Sequence, residues 1–251
     1  VDWTDNGIVL AVRRHGESAV ILSLLTAEHG RHMGLVRGGA GTRARGLYQI
    51  GNIVSAEWRA RLEAHLGSYT CELISAPTAL YLDDPKRLAG LTSACAVADM
   101  ALPEREPHGR IYQGLTDLLA VMGHELWPVA YIRWELALLT ELGFGLDLGT
   151  CAATGANDHL AYVSPRSGRA VSLAAGEAYR DKLLILPGFL TDERADQPIE
   201  DADIAAGLTL TGFFLERHLF AASHSGMPAA RHRMLDRLVG PATISGRETE
   251  T

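Results

Sequence analysis

At 251 residues, with 47% apolar and 21% charged side chains, the chain has the composition of a folded soluble protein with room for one large domain or two modest ones, at about 150 residues each. No stretch approaches the ~18 uncharged apolar residues of a membrane span, and the opening VDWTDNG carries acids where a secretory signal is basic, so a cytoplasmic protein is expected. Three widely spaced cysteines, Cys71, Cys95 and Cys151, fit a reducing compartment and supply no disulfide framework.

The net charge of −7 argues at first against a nucleic-acid partner, but its distribution reverses that argument. Between Arg13 and Arg61 stand eight arginines and three acids, so this part is strongly positive and the remainder strongly negative. Segregated charge steers a polyanion more effectively than the total suggests.

Short β-rich runs come first. GIVLAVRR over 7–14 sets Ile8, Leu10 and Val12 on one face and Val9, Ala11 and Arg13 on the other, and 19–25 repeats the alternation with Val20, Leu22 and Leu24. The next stretch, RHMGLVRGGAGTRAR over 31–45, holds four arginines and no acid, and reads as a strand opening into a mobile loop that orders on DNA. From Asn52 to Leu62, Val54, Ala56, Trp58, Ala60 and Leu62 share one face, while Arg59 and Arg61 share the other. GSYTCELIS over 67–75 closes a set of five strands. Such a set suggests a small closed barrel, of the oligonucleotide-binding (OB) type or, as a competitor on pattern alone, the SH3-like type.

At Asp83-Asp84-Pro85 the texture turns helical, because Pro suits a first helical position and acids suit the N-terminal end of a helix dipole. Leu88, Leu91, Cys95 and Ala98 fall along one face; a second helix carries Ile111, Leu115, Leu118 and Leu119; a third opens at Trp127-Pro128 with Val129, Ile132, Leu136 and Leu139. Residues 147–187 lack periodicity. Helical texture resumes near Asp203, with Phe213, Phe214, Leu219 and Phe220, and a last amphipathic helix begins near Pro228; Ser245–Thr251 reads as disordered.

Catalytic motifs are missing. Gly39-x-Gly41-x-x-Ala44 matches a permissive dinucleotide fingerprint, but Gly46 and Gly51 interrupt the helix that the motif must open. The sequence contains no phosphate-binding P-loop, G-x-S-x-G elbow or H-E-x-x-H helix. No enzyme and no cofactor are expected.

GIVL with the following GES, LLT-x-x-HGR, the glycine-arginine loop, WELALLTELGF running to Cys151, and YVSPRSGRAV resemble, in order and spacing, the bacterial recombination mediator family RecO. The resemblance implies an α+β, multidomain chain: an N-terminal five-stranded OB-fold β-barrel (1–80), then an α-helical domain (81–251) with a degenerate zinc-ribbon-like insert at about 147–187. It also implies a nonenzymatic role in the cytoplasm, associated with the nucleoid during repair. Such proteins bind single- and double-stranded DNA, anneal complementary strands, engage the acidic C-terminal tail of single-stranded DNA-binding protein, and act with RecR to help load RecA. Many members carry two C-x-x-C pairs in the insert; here those positions read Cys151-Ala152-Ala153-Thr154 and Ser172-Leu173-Ala174-Ala175, so no metal is expected and the insert must pack around Leu160, Tyr162 and Val171.

The expected DNA-binding residues are Arg13, Arg14, Arg37, Arg43, Arg45, Arg59 and Arg61, with Tyr48 as a stacking aromatic. Trp58 is also aromatic, but its alternation favours core packing. Arg231, Arg233 and Arg237, beside Phe213, Phe214, Leu219 and Phe220, form the expected partner site for an acidic, apolar-ended tail. The alternative is a protein-interaction adaptor that binds no DNA and whose barrel takes peptides.

Overall fold

The computed structural model describes residues 1–194, 197–221 and 226–240, leaving aside the side chains of Arg43 and Glu193; the expectation for Ser245–Thr251 falls outside these residues. Strands β1 (Asp2–His15), β2 (Ala19–Thr26), β3 (Gly30–Val36), β4 (Ile53–Arg59) and β5 (Ser68–Ser75) close into a barrel in the order β1-β2-β3-β5-β4. A single parallel pairing, Leu35 with Ser68, completes the ring. This is the OB-fold barrel, followed by helices.

Strand β1 is long because it serves two partners: its first half pairs with β4, from Asp2 opposite Arg59 to Ile8 opposite Ile53, and its second half pairs with β2. The register slips between Val9 and Ala11, and there the strand bends from one partner to the other. Val9 faces the barrel interior with Val20, Leu22, Leu24, Val54, Ala56 and Trp58. Ile8 and Leu10 face the helices and share their core with Leu91, Cys95 and Ala98. The alternation read from the sequence holds for Ile8, Val9 and Leu10, but the slip at Val9 and Ala11 moves Val12 to the barrel-interior face with Val9; both faces are buried, at roughly 1.5–3 kcal/mol per large aliphatic side chain.

Two expectations need correction. The segment after β3 is not an open loop: it turns and forms a short helix, α1 (Thr42–Leu47), whose Ala44 and Leu47 pack with Ala40 against the barrel core. Apolar residues at these spacings seal the barrel more favourably than an extended loop would. Strand β4 also ends at Arg59, so Arg61 lies past the strand and does not share a face with Arg59.

The helical part holds α2 (Pro85–Ala101), α3 (Gly109–Val121), α4 (Trp127–Glu141), the short α5 (Leu173–Gly176), α6 (Asp201–Leu215) and α7 (Ala229–Leu238). Asp84 caps α2, accepting from the N–H groups of Lys86 and Arg87 at 3.1 and 3.0 Å. The insert forms a three-stranded sheet from β6 (Leu160–Val163), β7 (Ala170–Ser172) and β8 (Leu184–Ile185), with β6 in the middle. Barrel and helices are tied together at one seam. The Ser23 hydroxyl donates to Asp99 at 2.6 Å, Arg31 Nε donates to the Leu102 carbonyl at 2.8 Å, and the Arg105 guanidinium donates to the carbonyls of Glu63 and His65.

The centre of the helical core holds a charged pair. Arg231 of α7 donates from Nε to Glu135 Oε1 at 2.7 Å and from Nη2 to Oε2 at 2.9 Å, and Nη2 also reaches the Leu208 carbonyl and the Thr211 hydroxyl. Both residues are almost wholly buried, Arg231 at 2% exposure and Glu135 at 0%. Removing one partner leaves the other charge desolvated and uncompensated. Arg231→Ala is therefore expected to cost about 3–5 kcal/mol, read as a shift in the urea unfolding midpoint, with most of the loss recovered in the Glu135→Leu/Arg231→Met double variant. A loss under about 0.5 kcal/mol, the level of an ordinary surface change, would remove the pair from the account of stability.

Candidate nucleic-acid interface

The strand register brings several of the expected arginines to one edge of the barrel. Arg13 and Arg14 stand opposite Ile21 and Val20, and Val20 stands opposite Val36, so the end of β1, the start of β2 and the end of β3 with Arg37 are neighbours. The turn after Arg37 is fastened to the β1–β2 hairpin by a hydrogen bond from Ala40 N–H to the Ser18 carbonyl at 3.0 Å. Gly39 makes that approach possible, because a Cβ there would lie 2.6 Å from Val20. Helix α1 then presents Arg45 to solvent; Arg43 stands on the same helix, but its side chain lies outside the described residues.

The arginines differ in how much charge they leave free. Among the described residues no carboxylate lies within 4 Å of Arg14, Arg37 or Arg45, and all three are exposed. Arg13 is 69% exposed and makes a long ion pair with Asp99 at 3.5 Å. Arg59 is held by Glu57 at 2.8 Å and by Asp2 at 3.8 Å. The register puts Arg59 opposite Asp2 and Ser68, and Ser68 pairs in turn with Leu35, two residues before Arg37, while Arg61 follows β4. Among the described residues, Arg13 and Arg59 thus share their charge with carboxylates, and Arg14, Arg37 and Arg45 do not.

Tyr48 is not a stacking platform. It is 8% exposed and belongs to the barrel core, where burial and the neighbouring Cys71 push its phenol up to about 12. Trp58 is fully buried, as its alternation indicated, with Nε1 donating to the Leu66 carbonyl at 3.0 Å. An aromatic in a closed barrel gains more from packing than from waiting for a base.

The expected partner face on α7 loses Arg231, which is buried. Arg231 points inward to Glu135, and α7 packs along α2. Only Arg233 and Arg237 are exposed, and Arg237 donates to the Pro85 carbonyl at 3.0 Å. The structure opens a different groove, between α3 and α4, with a volume of about 740 Å³. Ile111, Leu118, Trp127 and Trp134 help form its apolar walls, and the exposed Arg110 and Arg133 line it as well. Apolar periodicity marked both helices in the sequence but did not show that these faces would leave a cleft between them.

The chain matches the model for the recombination protein O N-terminal domain over residues 1–77 and that for the recombination protein O C-terminal domain over residues 82–226. It is 53% identical over 248 residues to the DNA repair protein RecO of Rhodospirillum centenum, covering 98% of each chain. It is 50% identical to that of Rhodospirillum rubrum, over 95% of this chain and 96% of the relative, and 48% identical to that of a Jannaschia species, with the same coverage. The chain belongs to the RecO family. Its RecO relatives carry the name of DNA repair proteins, and no helix among its described residues is long and apolar enough to cross a membrane.

Within the insert, Ser172 and Thr154 converge on Cys151. The Ser172 N–H donates to Cys151 Sγ at 3.2 Å, and the Ser172 hydroxyl lies 3.5 Å from the sulfur. Burial raises the thiol pKa, but hydrogen bonds with the hydroxyl and backbone groups of Ser172 and Thr154 outweigh it and bring the thiol down to about 6. One sulfur with two hydroxyls does not fit a structural zinc, which takes four N or S donors. Hydrogen bonds take over the cross-link that a metal would make, and Leu160 and Val171 pack beside it. Purified protein is expected to carry far less than one equivalent of zinc by elemental analysis and to keep its melting temperature in chelator. One equivalent, with a fall in melting temperature on its removal, would overturn this account.

Proposed function

We propose that this chain is a nonenzymatic recombination mediator in the cytoplasm, working at the nucleoid during repair. It binds single- and double-stranded DNA along the basic barrel edge, anneals complementary strands, and acts with RecR to help load RecA onto DNA coated by single-stranded DNA-binding protein. The observation that carries this reading is the edge itself: Arg14, Arg37 and the α1 arginines stand at one edge of a small barrel, with Arg13 next to Arg14 but turned to Asp99 of α2, in a chain whose net charge is −7. Contacts to phosphate fix a strand without occupying its base edges, which leaves the bases free to find a complement. Annealing needs that arrangement.

The acidic tail of single-stranded DNA-binding protein is assigned to the α3–α4 groove. An acidic, apolar-ended peptide needs an apolar slot beside cations, and the walls of Ile111, Leu118 and Trp134 with Arg110 and Arg133 supply both.

With about five arginines on single-stranded phosphates, log affinity is expected to fall against log salt with a slope near −3.5, at roughly −0.7 per contact. Alanine at Arg37, Arg43 and Arg45 together should flatten that slope and slow annealing of coated strands. A salt-independent affinity, or no binding even at low salt, would sink the DNA reading in favour of a peptide-binding adaptor. For the tail, charge reversal at Arg110 and Arg133 is expected to weaken peptide binding at least about tenfold, measured by fluorescence anisotropy, while reversal at Arg233 and Arg237 leaves it unchanged. The opposite pattern would return the site to α7.

A further inference from the structure

Three aromatic rings stack at the outer margin of the helical domain. Phe214 is 1% exposed and lies in the core. The His218 ring lies almost parallel to it, with centroids 6.0 Å apart and planes 6° from parallel. Phe144 stacks on His218 in turn, at 4.7 Å and 14°, and remains 38% exposed. The stack thus begins inside the protein and ends at a ring open to solvent.

Two departures from regular helix build it. Helix α4 gives way at Gly143, where φ is +88°, and the Phe144 N–H closes the turn on the Leu139 carbonyl at 2.8 Å, which swings the Phe144 side chain off the helix. Helix α6 runs on into a π-helical turn, Glu216–Phe220, closed by Ala221 N–H on the Glu216 carbonyl at 2.7 Å. The extra residue in that turn shifts the side-chain register and sets His218 between the two phenylalanines; such turns concentrate at functional sites.

Cations flank the exposed end. Arg217, in the π turn, donates from Nη1 to the Pro165 carbonyl at 2.6 Å, which brings the β6–β7 turn and its exposed Arg166 beside the stack. Asp147 is bound by Arg169 at 3.2 Å, Glu141 faces His108 at 3.4 Å, and Glu216 in the π turn is exposed.

We propose that this platform is a second single-strand contact, distinct from the barrel edge: an unpaired base stacks on Phe144 and its flanking phosphates reach Arg166 and Arg217. An exposed ring that continues a parallel stack suits a base better than it suits a peptide side chain, and every base has a face to offer, so the contact is tolerant of sequence. Paired DNA cannot use it, because its bases are already stacked. Annealing brings two strands together, and a chain with a phosphate edge at one place and a stacking platform at another can hold one strand at each.

The test uses the full chain and oligonucleotides carrying bromodeoxyuridine. Irradiation is expected to cross-link the peptide containing Phe144 in the wild type. Phe144→Leu, which keeps apolar bulk but removes the ring, should lower single-strand affinity roughly tenfold at high salt, where phosphate contacts are suppressed. Phe144→Tyr should bind normally, double-strand affinity should not change, and Arg166→Glu should weaken single-strand binding without altering the melting temperature. Absence of the cross-link, or Leu and Glu variants that bind single strands like the wild type, overturns the proposal. The barrel-edge variants are measured in parallel: if they alone bind normally the edge reading fails, whereas the platform is judged by its own variants.

Discussion

The Arg231–Glu135 pair holds the helical architecture in register. A guanidinium and a carboxylate taken out of water are tolerated only when the geometry satisfies nearly every donor and lone pair, and here Thr211 and the Leu208 carbonyl take up what the two charges do not give each other. One interaction therefore fixes three helices: α4 supplies the acid, α7 the base, and α6 the hydroxyl and the carbonyl. Because α7 also lies along α2, and α2 is the helix that receives Ile8 and Leu10 of β1, the position of the barrel depends on this pair as well.

The same residue type serves opposite ends in different places of the fold. Arg31, Arg87 and Arg105 spend their donors on backbone carbonyls, those of Leu102, of Met122 and Gly123, and of Glu63 and His65. Arg14, Arg37 and Arg45 are left facing water. What separates the groups is the presence of orphan carbonyls at helix ends and turns, which a planar cation with several donors satisfies better than any other side chain. Of the outward arginines, Arg14 makes one long bond of this kind, to the Glu17 carbonyl at 3.4 Å. Their charge is then free for a polyanion, and the acidic character of the remaining surface lowers the competition from unwanted sites.

Much of the barrel was legible because alternation is a local property. Val54, Ala56 and Trp58 declare their common face whatever they pack against, and Asp84-Pro85 declares a helix start by its own chemistry. Tyr48 and Arg231 could not be read in that way. Each is amphipathic, each follows a helix or a basic cluster that suggests a surface, and its burial depends on a partner distant in sequence: the barrel interior for Tyr48, and Glu135 for Arg231. The short helix after Gly41 was hidden by the glycines around it, since the seal it makes against the barrel is tertiary. The α3–α4 groove was invisible for a related reason, because two apolar stripes predict contact and not the gap left where they diverge. The insert lies between these cases: loss of three cysteines was plain, whereas the hydrogen bonds between Cys151 and Ser172 depend on how the β6–β7 hairpin closes.

Arg231 follows Glu135 by 96 residues, and this sets an order of events during synthesis. As the chain leaves the ribosome, the barrel interior, with Val9, Leu22 and Val54, is complete once Ser75 has emerged. The Glu135 carboxylate has no counter-charge until α7 appears. Strand β1 is consequently assembled in two stages, one face closing early around the barrel and the other, through Ile8 and Leu10, waiting for the helices. N-terminal regions generally fold first; here the first strand keeps one face uncovered until α2 has followed the barrel.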